Sequence, residues 1–258
     1  MGRDERRDPR GADPRGDRRR AGQAPRGLSC APRRAGGRPP APRRREARGG
    51  AHVDLTTATR VLAVDASAPD GAAIAEAAAV ITTGGVVAFP TETFYGLAVA
   101  ALDAAAVRRL FALKGRPESR PILVLVDDPA RIERFALLTD AARALIARHW
   151  PGALTLVLPA RPIVPVELTA GTGTIGVRQP GHAVARALAA ACGAPITAPS
   201  ANLTGETPPT TADDVRRVFD GRIDVILDAG ATPGGLPSTI LDVTVDPPRV
   251  LRHGALRI

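Results

Sequence analysis

The side chains of this 258-residue chain that could do chemistry gather in a few short segments. Lys114, Arg116 and Arg120 lie in Lys114-Gly115-Arg116-Pro117-Glu118-Ser119-Arg120-Pro121, three cations within seven residues, and the two prolines hold the backbone extended. Cations fixed on such a loop can offset the charge of a polyphosphate leaving group. They can equally form an exposed basic turn at a helix end, favoured by the helix dipole. Thr93 and Tyr95 lie in Pro90-Thr91-Glu92-Thr93-Phe94-Tyr95-Gly96-Leu97, a loop-like segment directly after a strand-type run. Hydroxyls there can meet a polar ligand beyond a sheet edge, or cap their own turn. Ser200 and Asn202, in Pro199-Ser200-Ala201-Asn202-Leu203-Thr204-Gly205, suit phosphate or ribose and suit a plain Asx turn as well. The last group joins Pro237-Ser238-Thr239-Ile240 to Arg252-His253-Gly254. Each segment has a structural reading, and only their combination is specific.

Residue usage adds to this. After residue 58 the chain holds 18 Arg but a single Lys, Lys114, and a single Tyr, Tyr95. Lysine is a compact point charge and a common phosphate binder, so one ammonium in an Arg-biased chain invites a functional question. Other motifs mislead. Gly171-Thr172-Gly173-Thr174-Ile175-Gly176 matches GxGxxG in form, but a strand ending at Val177-Arg178-Gln179-Pro180 follows it rather than a helix. The lone Lys is followed by Gly115 and Arg116, which rules out a Walker A loop. His52, His149, His182 and His253 have no metal-ligand spacing, and no GxSxG elbow occurs.

The elements that must position these segments alternate. Asp70 to Thr83 places Ile74, Ala77, Ala78 and Ile81 at helical spacing, stopped by Gly84-Gly85. Further helices are expected after Asp103, from Thr139 to Trp150, and over Ala183–Cys192 and Ala212–Phe219. Strands are expected at 86–89, 121–126, 154–158, 174–178, 194–198, 223–227, 238–243 and 249–252. Several late strands follow one another directly, so the fold class is α/β with a mixed sheet.

Charge separates two regions. Residues 1–50 carry 16 Arg and 6 acids, whereas the rest is near neutral with 19 basic and 20 acidic residues. Residues 1–50 are built almost wholly from Arg, Pro, Gly, Ala and Asp and bury too little apolar surface to offset ordering entropy, so residues 1–58 are expected to be a disordered extension. Residues 59–258 form the expected globular domain. Cys30 and Cys192 make neither a disulfide framework nor a zinc site, and no apolar run approaches a membrane span. A cytoplasmic setting without membrane contact follows as the expectation.

PTETFYGL, KGRPESRP, WPGALTLVL, TIGVRQP, PSANLTG, PSTILDV and the final LRHG occur in the order seen in YrdC-like L-threonylcarbamoyladenylate synthases. The chain resembles the short, single-domain form from about Arg60 to Ile258. The resemblance implies an open, twisted mixed sheet with flanking helices around a large, concave, electropositive cavity. It implies a nucleotidyltransferase that joins L-threonine, bicarbonate and ATP into threonylcarbamoyl-AMP, releasing diphosphate, for threonylcarbamoyl modification of tRNA adenosine. On it, Thr93, Tyr95, Arg178 and Ser238 contact L-threonine. Lys114 and Arg116 are the catalytic pair and triphosphate ligands, and Arg120, Thr174, Ser200, Asn202 and Arg252 complete the ATP site. Mg²⁺ would arrive with ATP, without dedicated protein ligands. Downstream tRNA threonylcarbamoyl transferase proteins and tRNA itself are the implied partners. The chain departs from the pattern at Arg120, where many relatives have Asn, at Leu125, where a His is frequent, and at Ala198-Pro199-Ser200, which lacks the hydroxyls of Ser-Thr-Ser. Two competing readings stand beside this one. One is an RNA-binding paralogue of the same fold without the activity. The other is a carbamoyl-transfer module like that of hydrogenase maturation proteins, which usually sits in a larger chain with zinc-finger motifs.

Overall fold

The computed structural model describes residues 58–117 and 119–258. The expected disorder of the N-terminal extension falls on residues 1–57, outside the described residues, as do Cys30 and His52.

Short-range signals set the helices. α1 (Gly71–Thr82) starts where Asp70 accepts from Ala72 N at 3.1 Å and buries Ile74, Ala77, Ala78 and Ile81. α2 (Ala104–Lys114) starts where Asp103 accepts from Ala105 N at 2.8 Å and ends at Gly115, whose φ of 55° few other residues adopt cheaply. α3 (Asp140–His149) is capped by Thr139 and buries Ala142 and Ile146. α4 (Val166–Thr169) is a single turn that no periodicity announces. α5 (Ala183–Cys192) uses His182 Nδ1 as its cap acceptor, and α6 (Ala212–Phe219) carries a reciprocal capping box between Thr211 and Asp214.

Among the described residues ten strands form two sheets, where a single sheet was expected. β1 (Arg60–Ala63), β8 (Val225–Asp228), β2 (Val87–Pro90) and β3 (Tyr95–Ala98) lie in that order in a four-stranded sheet. β10 (Arg249–Arg252), β9 (Thr239–Asp242), β5 (Leu154–Pro159), β6 (Thr174–Arg178), β4 (Val124–Leu125) and β7 (Ile196–Thr197) form the six-stranded one. Both sheets mix parallel and antiparallel pairs. The segment expected to be a loop at Tyr95-Gly96-Leu97 is β3. It pairs with β2 on one side, and on the other Leu97 N donates to Pro199 O at 2.9 Å and Ala201 N to Tyr95 O at 2.8 Å. Residues 195–201 thus run beside β3 and join the two sheets. The expected strand over Pro121–Val126 shrinks to Val124–Leu125, since proline offers no N–H and Ile122 N turns to Leu168 O.

The six-stranded sheet explains where a site can form. Leu154, Leu156 and Leu158 on β5, with Ile175 and Val177 on β6, belong to the buried core. Each contributes roughly 1.5–3 kcal/mol by leaving water. The alternate residues, Thr155 and Val157 on β5 and Thr174, Gly176 and Arg178 on β6, come out on the other face. Val157 faces Gly176 across the ladder, Thr155 faces Ile240, and Leu125 faces Arg178. None of the described helices is long and apolar enough to cross a membrane.

Candidate active site

That second face is the floor of a cavity of about 670 Å³. Its walls come from the turn after β2, the segment before β4, residues 198–200, the turn before β9 and the end of β10. Gly176 keeps the floor low: a Cβ there would stand 3.3 Å from Thr155 Cγ2. Of the eleven expected site residues, Thr93, Tyr95, Arg116, Thr174, Arg178, Ser200, Ser238 and Arg252 line this one space, and Lys114, Arg120 and Asn202 do not. Segments far apart in the chain therefore converge.

The charge of the walls is one-sided. Arg116, Arg178 and Arg252 line the cavity, and among the described residues no carboxylate does. Arg116 is held by two carbonyls, Nη2 to Pro121 O at 2.9 Å and Nε to Arg120 O at 3.3 Å. Burial, then the charge of Arg120, lowers its pKa. Arg252 donates twice to Ser238 O, at 2.8 and 3.1 Å, and once to Ser238 Oγ at 3.1 Å. Burial and then Arg178 lower its pKa, which places two guanidiniums within each other's field. Ser238 Oγ is also 2.9 Å from Thr155 Oγ1. The terminal LRHG motif meets this turn because Gly254 has no side chain: a Cβ there would lie 2.2 Å from Pro237 O.

Hydroxyls complete the lining. Thr91 Oγ1 donates to Phe94 O at 2.7 Å, accepts from Thr93 N at 3.2 Å and lies 3.1 Å from Thr93 Oγ1. Thr174 Oγ1 lies 2.9 Å from Thr172 Oγ1. Tyr95 also lines the space, but its hydroxyl donates to Gly230 O at 2.8 Å, and burial raises its pKa well above the ordinary tyrosine value. The polar end of Tyr95 thus serves the loop after β8.

Lys114 departs from its expected place on the cavity wall. Its side chain is 3% exposed, and Nζ donates to Ser200 O at 2.5 Å and to Asn202 O. Burial, reinforced by Arg116, pulls its pKa down to about 8. The ammonium fastens the 200–202 turn that carries Ser200 into the cavity. Asn202 Nδ2 turns inward to Leu203 O and Glu206 O, both at 2.8 Å. Arg120 is exposed; its carbonyl holds Arg116, and its charge reaches the site only through Arg116. Leu125, at the position of the frequent His, supplies apolar wall.

Sequence reasoning missed two participants. Thr155 sits between two core leucines, and the alternation of Leu154-Thr155-Leu156 could have marked it. Glu92 lies between Thr91 and Thr93, ion-paired with Arg178 Nη2, and accepts from Gly181 N at 2.7 Å. Burial favours its neutral form, yet Arg178 and the Gly181 N–H hold its pKa below the ordinary value. No local signal reveals that pair. Among the described residues no three His, Cys, Asp or Glu side chains cluster as metal ligands.

The Sua5–YciO–YrdC domain family, described as "Telomere recombination", matches residues 79–254. The threonylcarbamoyl-AMP synthase of Pyrococcus abyssi is 45% identical over 181 residues, covering 70% of this chain and 53% of that protein. The threonylcarbamoyl-AMP synthase of Bacillus subtilis is 44% identical over 185 residues, covering 71% and 54%. The chain thus spans about half the length of these curated relatives. The crystal structure of P. abyssi Sua5 complexed with L-threonine superposes with a TM-score of 0.74 at 42% identity, over 77% of this chain and 58% of that one.

Proposed function

Because the chain belongs to the Sua5–YciO–YrdC domain family, we propose that it is an L-threonylcarbamoyladenylate synthase, a nucleotidyltransferase acting in the cytoplasm. The observation that carries this reading is the cavity itself: three guanidiniums and a ring of hydroxyls face one space, and no carboxylate among the described residues lines it. Such a space suits two anionic partners at once, an amino acid and a nucleoside triphosphate.

The reaction converts L-threonine, bicarbonate and ATP into threonylcarbamoyl-AMP, diphosphate and water. The threonine amine adds to carbon dioxide derived from bicarbonate, forming the N–C bond of a carbamate. A carbamate oxygen then attacks the α-phosphorus, and the bond to the diphosphate oxygen breaks. Carbamates are short-lived in water, so a sheltered floor that holds both partners in line supplies much of the rate. Arg178 pairs with the threonine carboxylate through two parallel N–H bonds, with Thr93 and Ser238 beside it. Arg116 stands against the triphosphate, where a fixed cation offsets the charge developing on the diphosphate. Arg252, Thr174 and Ser200 take the rest of the nucleotide, and Lys114 and Asn202 act from behind the 200–202 turn. Magnesium enters on the ATP phosphates, as part of the substrate. The activated product requires downstream threonylcarbamoyl transferase proteins to complete tRNA modification.

The test is diphosphate release from purified full-length chain with ATP, L-threonine and bicarbonate, each omitted in turn. Release that needs all three supports the reading. Release indifferent to threonine, or no release, overturns it.

A further inference from the structure

Behind the anion-facing wall stands one carboxylate. Thr91 and Thr93 line the cavity, whereas Glu92 between them does not, and its side chain runs back to Arg178. Two contacts hold the Arg178 guanidinium, Nε donating to Gly152 O at 2.9 Å and Nη2 ion-paired with Glu92 Oε1 without hydrogen-bond geometry, while Arg252, lining the same cavity, lies within its field. The Arg178 side chain is only 5% exposed. Glu92 Oε1 also accepts from Gly181 N, while its Oε2 is buried without a hydrogen-bond partner. An orphaned carboxylate oxygen costs free energy, and a buried ion pair seldom repays its desolvation. The pair is therefore poorly arranged for stability and well arranged for orientation. Two like charges converge on one face, and a counter-charge on the far side keeps one of them from swinging away.

We propose that Glu92 is the positioning residue of Arg178, holding its guanidinium in the plane that receives the carboxylate of an α-amino acid. It acts through Arg178 and touches no substrate. The identity of that amino acid as L-threonine rests on the function proposed above.

Glu92→Gln isolates the brace, because the amide oxygen can still accept from Gly181 N while the charge is lost. Titration calorimetry of the full chain with L-threonine should show the dissociation constant rising at least tenfold, with the KM for ATP within twofold of wild type. A folded Glu92→Gln with threonine affinity within twofold of wild type overturns the proposal. Should Glu92→Gln fail to fold, Gly181→Ala decides: its Cβ would stand 3.2 Å from Glu92 Oε1 and displace the carboxylate without removing its charge. A threonine dissociation constant raised about threefold or more supports the proposal, and an unchanged one overturns it. A second arm is independent of substrate. Guanidinium NMR of ¹⁵N-arginine-labelled protein, assigned with Arg178→Lys, should show separate, slowly rotating Nη signals for Arg178 that merge in the Glu92→Gln or Gly181→Ala variant. Signals unchanged by the variant overturn the brace. If wild type binds no threonine, the proposed function falls, and the guanidinium arm alone decides the brace.

Discussion

Replacing Lys114 by Met removes an ammonium and keeps most of the side-chain volume, so it tests what the buried charge does. The ammonium donates to Ser200 O and Asn202 O. Ser200 O also accepts from Asn202 N at 3.0 Å, so the Asn202 carbonyl bears most of the loss. Orphaning that carbonyl costs about 1–3 kcal/mol, and losing the charge-assisted bond to Ser200 costs a further 1.5–3 kcal/mol or so. Against this, the folded-state pKa of about 8, set beside 10.5 for a free lysine, means that burial disfavours the ammonium by roughly 3 kcal/mol, which the variant recovers. The balance is a destabilisation of about 1 kcal/mol, or roughly 2–4 °C in Tm for a domain of this size. The sign of the pH dependence is also determined. Between pH 8 and about 10 the unfolded lysine keeps its proton while the folded one loses it, so wild-type stability gains with rising pH and the gap to Lys114→Met widens. Paired thermal melts from pH 7 to pH 10 check both points. A Tm within a degree of wild type at pH 7 would refute the role of Lys114 as fastener of the 200–202 turn, and a gap that stays flat or narrows across that window would refute the burial-lowered pKa.

The other predictions concern the cavity wall and the tail. Arg116→Ala should cut diphosphate release by orders of magnitude with Tm within about 2 °C, because its two carbonyl partners lie in an exposed loop; near-normal turnover would place the triphosphate elsewhere. Arg178→Lys should mainly raise the KM for threonine, since a lysine cannot make two parallel carboxylate bonds, and steady-state kinetics with unchanged KM would show that Arg178 does not hold the carboxylate. Tyr95→Phe strands the Gly230 carbonyl and should lose about 1 kcal/mol of stability in a urea titration. Its threonine KM should stay within twofold; a large rise would return the hydroxyl to the substrate. Deleting residues 1–57 should leave diphosphate release intact, whereas lost turnover together with a steep, salt-dependent loss of RNA affinity would favour an RNA-binding role.

Much of this molecule was legible before folding because its signals are short in range. Asp70, Asp103, Thr139 and Thr211 announce helices from the side of the chain they cap. The two-residue period of Thr174-Ile175-Gly176-Val177-Arg178 announces a strand, and that alternation sends Ile175 and Val177 to the core and Arg178 to the opposite face. The same strand removes the GxGxxG reading, since its second and third glycines lead into and lie within a β-ladder instead of opening a helix.

Long-range pairing leaves no such mark. Whether β3 closes one sheet or bridges two depends on residues 195–201 arriving beside it, and nothing in Tyr95-Gly96-Leu97 encodes that arrival. Lys114 looked like a phosphate ligand from its type and neighbours, but only the approach of the 200–202 turn decided that its charge is spent on backbone carbonyls. Glu92 looked like one polar residue of a threonine-rich turn until the end of β6 came to rest against it. Residue type and local period are properties of adjacent positions, so the chain itself determined its helices, its strand faces and the roster of anion-binding groups. Which of those groups face the cavity and which hold it in shape was decided by contacts between distant segments, because a charge acquires its role only from whatever the fold sets next to it.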